Sequence, residues 1–165
     1  MVVLGPAHDR ARRRKLMTKH WMWRSAVAGL CGWIAHSLLM YVKSRTGILP
    51  SFQPYQSLQN TLSHMVGNEV SPAVPWMLSF LNGSTIVGLM FGRIYWWLPG
   101  SNGATKGLIF GLAGWAVMGL LFFPLIGLGF FASQAGPGGW PALFSLGMLL
   151  IYSVVLGVVY AASNS

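Results

Sequence analysis

Apolar residues in this chain gather into four long runs, and polar residues gather between them. The runs extend from about Met22 to Val42, Val74 to Leu98, Ala104 to Phe131 and Pro141 to Ala162. A helix rises 1.5 Å per residue, so roughly 20 apolar residues cross a hydrocarbon core, and every run is long enough. No water inside a bilayer can pair free N–H and C=O groups, so such segments satisfy their backbones only as helices. The pattern predicts an all-α membrane protein with four transmembrane helices.

The connection from Ser44 to Ala73 is the only long one, and it carries a period of its own. Phe52, Tyr55, Leu58, Leu62 and Met65 recur at three- and four-residue steps, while Gln53, Gln56, Asn60 and His64 share the opposite face. This predicts an amphipathic helix over about 52–66, lying at the interface between spans one and two. It is entered after Pro50 and Pro54 and ended by Gly67 and Pro72.

Small residues form a second pattern within the spans. Span one has Ser25 and Gly29 with Ala28 and Gly32 beside them, span two has Ser84, Gly88 and Gly92, span three has Gly103, Gly107 and Gly111, and span four has Ser153, Gly157 and Ala161. Lipid tails are as apolar as the helices, so association depends on small residues that let backbones approach. Each span therefore has a helix neighbour, inside one bundle or on another subunit. Trp21, Trp23, Trp76, Trp96, Trp97 and Trp140, with Tyr41 and Tyr95, fall at span ends as aromatic belts, while the deeper Trp33 and Trp115 are expected in the bundle core. Pro124, followed by Gly127 and Gly129, predicts a kink in span three.

Of the 165 residues, 54% are hydrophobic and 8% charged, which leaves no room for a soluble domain. Eleven Lys and Arg stand against Asp9 and Glu69, for a net charge of +9. In a soluble protein this balance would indicate nucleic acid, but the distribution assigns it to topology. Arg10, Arg12, Arg13, Arg14, Lys15, Lys19 and Arg24 precede or open span one, and Arg93 and Lys106 flank the connection between spans two and three. Only Lys43 and Arg45 lie on the other side, so both termini are expected in the cytoplasm.

Residues 1–20 read as a basic cytoplasmic tail, disordered unless anchored, and 21–165 as the four-helix transmembrane domain. Arg10, Arg12, Arg13, Arg14, Lys15 and Lys19 are candidates to hold anionic headgroups or a partner, each contributing about 1 kcal/mol near a membrane surface. Span one is too long for a secretory signal core, and Tyr41-Val42-Lys43-Ser44 follows without a small-residue cleavage site, so it reads as a retained anchor. Cys31, alone in that span, reads as a buried small residue.

Spans two to four hold no Asp, Glu, His or Lys at depth, and Arg93 is close enough to an end to snorkel outward. That argues against a self-contained proton or ion pump. His36, within span one, is the exception, because an imidazole at that depth must be paired or ligated. Three readings stand: a hydrogen bond to a neighbouring helix or partner, contact with a quinone or pigment, or ligation of haem or metal. His8, His20 and His64 are not placed opposite it by sequence. Asn82 with Ser84 and Thr85, and Ser133 with Gln134, either bond between helices or line a polar pocket. No nucleophile and base pair or metal-ligand spacing occurs, and Gly-Pro-Gly-Gly at 136–139 lacks the Lys and Ser or Thr of a phosphate loop. The protein is expected not to be an enzyme and to hold no intrinsic cofactor or metal. A bound lipid, quinone or pigment near His36 is the ligand the sequence admits.

The stretch Lys106-Gly107-Leu108-Ile109-Phe110-Gly111 with Trp115, the closing run Ile151 to Tyr160, and Gly29 with Gly32 resemble a family of small four-span bacterial inner-membrane proteins of unknown function. Members carry a His shortly before the closing Tyr, where this chain has Leu149-Leu150. The resemblance implies the fold and a bacterial membrane, and no activity.

The expected role is a non-catalytic accessory subunit, packed against other integral membrane subunits of a larger bacterial complex such as a respiratory or photosynthetic one. Anionic lipids are expected as further partners and nucleic acid is not. The alternative is a protein that binds or transports a quinone, pigment or small solute through a cavity near His36, Asn82 and the Pro124 kink.

Overall fold

A computed structural model describes residues 6–136 and 138–163, with side chains described from residue 20 onward. Five long helices follow one another: α1 (Pro6–Thr46), α2 (Pro54–Val66), α3 (Ala73–Ile94), α4 (Gly103–Leu125) and α5 (Trp140–Ala162). Four of them, α1 from His20 onward with α3, α4 and α5, are long and apolar enough to cross a membrane, as expected of a multi-pass membrane protein. No strand occurs among the described residues.

α1 does not begin at the membrane. It runs unbroken from Pro6, a residue suited to a first helical turn because its missing N–H would have had no partner there. The segment read from sequence as a tail is thus helical from its sixth residue, while the side chains of Arg10, Arg12, Arg13, Arg14, Lys15 and Lys19 lie outside the described residues.

Backbone contact at small residues holds α1 to α3 and α4 to α5, and α1 also packs along α5. A Cβ on Gly29 would stand 2.6 Å from the Ser84 carbonyl oxygen, and one on Gly88 2.6 Å from that of Ser25. On the other pair, Gly103 and Gly157 lie on each other's backbone, and Gly107 lies on the Ser153 carbonyl. Gly92 meets the Ser25 hydroxyl, Gly111 the Ser153 side chain, and Ala161 packs on Gly103. All the small-residue stripes of the sequence are therefore used within one chain. Gly32 admits the Tyr152 ring and carbonyl, which seats α5 against α1. Beside these seams a core of Ala28, Phe91, Tyr95, Phe110, Tyr152, Leu156 and Tyr160 fills one end of the bundle.

Span boundaries differ from the sequence expectation at two places. α3 ends at Ile94 rather than Leu98, because Tyr95 to Trp97 turn away, with Trp97 N–H donating to the Ile94 carbonyl at 2.9 Å. The Lys106 ammonium donates to the Tyr95 carbonyl at 2.8 Å and lies 4.4 Å from the Tyr95 ring centre, which puts a cation where the helix exposes unpaired carbonyls. Asn102 opens α4 by accepting from Thr105 N–H at 2.8 Å.

α4 ends at Leu125, not Phe131, and the reason is Pro124. A proline deprives the helix of one N–H and crowds the preceding turn, and here a π-helical turn, Met118–Phe122, absorbs the mismatch just before it. The chain then folds back through Phe130–Ala132. Phe131 (φ 49°) and Ala132 (φ 59°) take left-handed conformations that cost roughly 1–2 kcal/mol each for residues with a Cβ. The offset is the Phe131 ring, which lies 4.7 Å from Trp115 and covers Gly119. Leu128 N–H donates to the Phe123 carbonyl and Gln134 N–H to that of Leu128, both at 2.9 Å, so the irregular backbone is paired internally.

A second core surrounds this return: Phe52, Phe123, Ile126, Leu128, Ala132 and Ala135. Phe52, which the periodicity placed on the loop helix, instead precedes α2 and plugs the bundle edge-on against Phe123 and Phe144. α2 begins only at Pro54 and buries none of its residues fully. It is attached by the Tyr55 ring, 4.3 Å from Trp76, and by the Gln59 amide donating to the Val70 carbonyl at 2.8 Å.

Two changes test this packing by equilibrium unfolding in detergent. Gly157→Val forces the α4 and α5 backbones apart and is expected to cost about 2 kcal/mol. Gly147→Ala, also on α5 but with nothing within 4 Å of the new methyl, is expected to be neutral or to stabilise by up to about 1 kcal/mol. Equal effects from the two would contradict the seam.

Candidate functional site

The helices are clamped at the end where Phe91, Tyr95 and Phe110 meet, and toward the other end a cavity of about 400 Å³ opens among them. α1 contributes Trp33, His36 and Met40, α3 contributes Leu78, Ser79, Asn82, Gly83 and Val87, and α4 contributes Met118, Phe122 and Phe123. Ser145, Met148, Leu149 and Tyr152 come from α5, while Phe52 and the start of α2 (Pro54, Tyr55, Leu58) close the far end. Most of this lining is aliphatic or aromatic, with a few polar groups converging from different helices.

Irregular helix geometry makes the space. α3 carries a π-helical turn at Asn82–Val87 and α4 one at Met118–Phe122, and both border the cavity. A π turn carries an extra residue and displaces carbonyls from the regular ladder, and such turns recur at functional sites. One carbonyl near the first turn, that of Gly83, accepts a hydrogen bond from the Tyr152 hydroxyl at 2.5 Å. A Cβ on Gly83 would crowd Trp33 at 3.3 Å and meet Tyr152 at an ordinary 3.6 Å.

The polar groups of the lining fall into two sets. In the first, Tyr55 and Ser79 share a hydrogen bond of 2.9 Å, Trp115 Nε1–H donates to Ser145 at 3.1 Å, and Ser145 donates to the Ala142 carbonyl at 2.8 Å. Burial holds the Tyr55 phenol above its ordinary pKa, and the bond from Ser79 offsets part of that rise, so Tyr55 stays protonated at neutral pH. In the second set nothing is paired. Trp33 Nε1–H is buried without an acceptor, and neither the His36 imidazole nor the Asn82 amide has a hydrogen bond among the described residues. Three polar side chains from two facing helices thus reach one apolar cavity with their hydrogen-bonding capacity unused.

Of the residues singled out by sequence, His36 and Asn82 are brought together here, and Phe123 carries the Pro124 kink to the wall. Ser84 and Thr85 are not part of it: Ser84 is buried in the α1 seam and donates to the Phe80 carbonyl at 2.6 Å. Ser133 and Gln134 lie in the return after α4, beside Gly129. His64 lines a separate, open cleft with Gln59, Asn60, Ser63 and Glu69, and no cluster of three metal-binding side chains occurs among the described residues. The spacing of Trp33, His36 and Met40 at three and four residues was the signal that these share a face. Tyr55, Ser79 and Tyr152 had no such signal, because their roles depend on contacts between helices.

No curated protein and no solved structure matches this chain. Residues 20–165 match a family of unknown function, DUF6789, and the chain belongs to that family.

Proposed function

We propose that this protein binds a small amphipathic molecule, a quinone or a lipid, in the cavity between its four spans. The observation that carries the reading is the set of Trp33, His36 and Asn82, without hydrogen bonds among the described residues, lining a largely apolar space. The buried Trp33 Nε1–H, left unpaired, costs about 1–3 kcal/mol, and a ligand oxygen placed beside it recovers that cost. The cavity volume falls in the range of about 300–1,000 Å³ that holds small organic ligands. The protein's role in this reading is binding or carriage, with no covalent step.

The same reading places the protein in a bacterial inner membrane. Four crossings put the two ends of the domain on one side, and the excess of Lys and Arg around α1 and the α3–α4 connection favours the cytoplasm for that side. α2 then lies at the outer interface as a cover over the cavity. The role of an accessory subunit in a larger complex drew support from the small-residue stripes, and those are occupied within the chain itself. They no longer point to a partner.

Titration of the purified protein with a short-chain naphthoquinone and with a monoacyl lipid, followed by tryptophan fluorescence, tests the proposal, because Trp33 lines the cavity. Saturable quenching by at least one probe is expected. His36→Leu and Asn82→Leu should each weaken it about tenfold, equivalent to about 1.4 kcal/mol. Quenching that does not saturate, or that ignores both substitutions, would overturn the proposal. Tyr152→Phe frees the Gly83 carbonyl, and is expected to lower stability by about 1 kcal/mol and to weaken binding by reshaping the wall.

A further inference from the structure

Lys43 is the least expected side chain in the fold. It lies near the outer end of α1 and is only 7% exposed, yet no carboxylate pairs with it among the described residues. Glu69 is the one acid among the described side chains, and it lines the separate cleft beyond α2. The contact recorded for the Lys43 ammonium is the Phe52 ring, at 5.9 Å.

Its position connects it to the cavity. Trp33, His36, Met40 and Lys43 follow at steps of three, four and three residues and so share one face of α1. The first three line the cavity, as does Phe52, over which Lys43 lies. Lys43 does not itself line the cavity; it stands one turn beyond Met40 and beside Phe52, which both do, about 10 Å along the helix axis from His36. A buried lysine whose ammonium lies over the ring that closes an apolar cavity is an arrangement suited to an anionic head, the rest of the molecule entering the hydrocarbon space.

Resting on the binding reading above, we infer that the ligand is a single-chain amphiphile with an anionic head, a carboxylate or a phosphate. Its head pairs with Lys43 and its chain descends past Met40 toward Trp33 and His36. Arg45 does not supply this site, because its guanidinium is exposed and engaged with Tyr41, donating to the phenol oxygen at 3.1 Å. The head is drawn from the outer interface, where Phe52 and α2 close the cavity.

Three probes of equal chain length, dodecanoate, dodecyl phosphate and dodecanol, are titrated into the full-length protein in nanodiscs of uncharged lipid. Competition with a fluorescent fatty acid provides the readout. The carboxylate, the phosphate or both should bind at least tenfold more tightly than the alcohol, and which one does identifies the head. Lys43→Ala should abolish that difference, Lys43→Arg should retain it, and Arg45→Ala should leave it intact, which separates a local pairing from attraction to the net positive chain. If Lys43→Ala does not fold, the comparison of acid and alcohol on the native chain and on Lys43→Arg still decides. Equal binding of dodecanol and the anions overturns the headgroup assignment and leaves the cavity reading standing. Failure of all three probes together with the naphthoquinone removes both.

Discussion

Backbone-to-backbone contact at glycine is the constraint on which the rest of the structure depends. In lipid, helices gain nothing by hiding apolar side chains from one another, so only closer approach makes a helix neighbour preferable to a lipid chain. Gly29 and Gly88 supply that approach between α1 and α3, and Gly103, Gly107 and Gly157 between α4 and α5. Each contact brings many atoms to van der Waals distance, individually weak and collectively decisive. Side chains larger than a hydrogen at these positions would separate the pairs, and the aromatic core of Phe91, Phe110 and Tyr160 would lose its frame.

The cavity opens beside the last of these contacts. The seam of α1 and α3 runs into the π-helical turn of α3, where Gly29 lies on the Gly83 and Ser84 carbonyls, and the π-helical turn of α4 lies beyond its seam with α5. The space between them is closed by other means: the Phe52 plug, the return after Pro124 and the cover of α2. In α3 the close contact with α1 and the irregular backbone meet at Gly83 and Ser84, whereas in α4 they are separate. The left-handed Phe131 and Ala132 belong to the return after Pro124, held by the ring of Phe131 on Trp115.

Much of the architecture was legible in the sequence, because span length and small-residue spacing are local properties. The four spans, the loop helix and the interruption near Pro124 could all be read from periodicity and composition. Reading failed where neighbours decide. Phe52 fits the apolar period of α2, but Pro54 starts the helix after it and the open end of the bundle draws the ring inward. The end of α4 was placed six residues late because the apolar run continues past Pro124 while the helix does not. His36 and Asn82 were visible as polar residues in apolar runs, and a cavity near them and the Pro124 kink was the alternative reading; the two π turns that border it are announced by no sequence period.

α1 is a single helix of 41 residues, about 60 Å long, roughly twice the thickness of a hydrocarbon core. With no proline after Pro6 and no break before Thr46, it has no joint at which its halves can turn independently. The wall of the cavity and the basic segment before His20 are therefore parts of one continuous rod. A tilt of α1 at Trp33 or His36 would therefore also displace its N-terminal end, since no break lies between them.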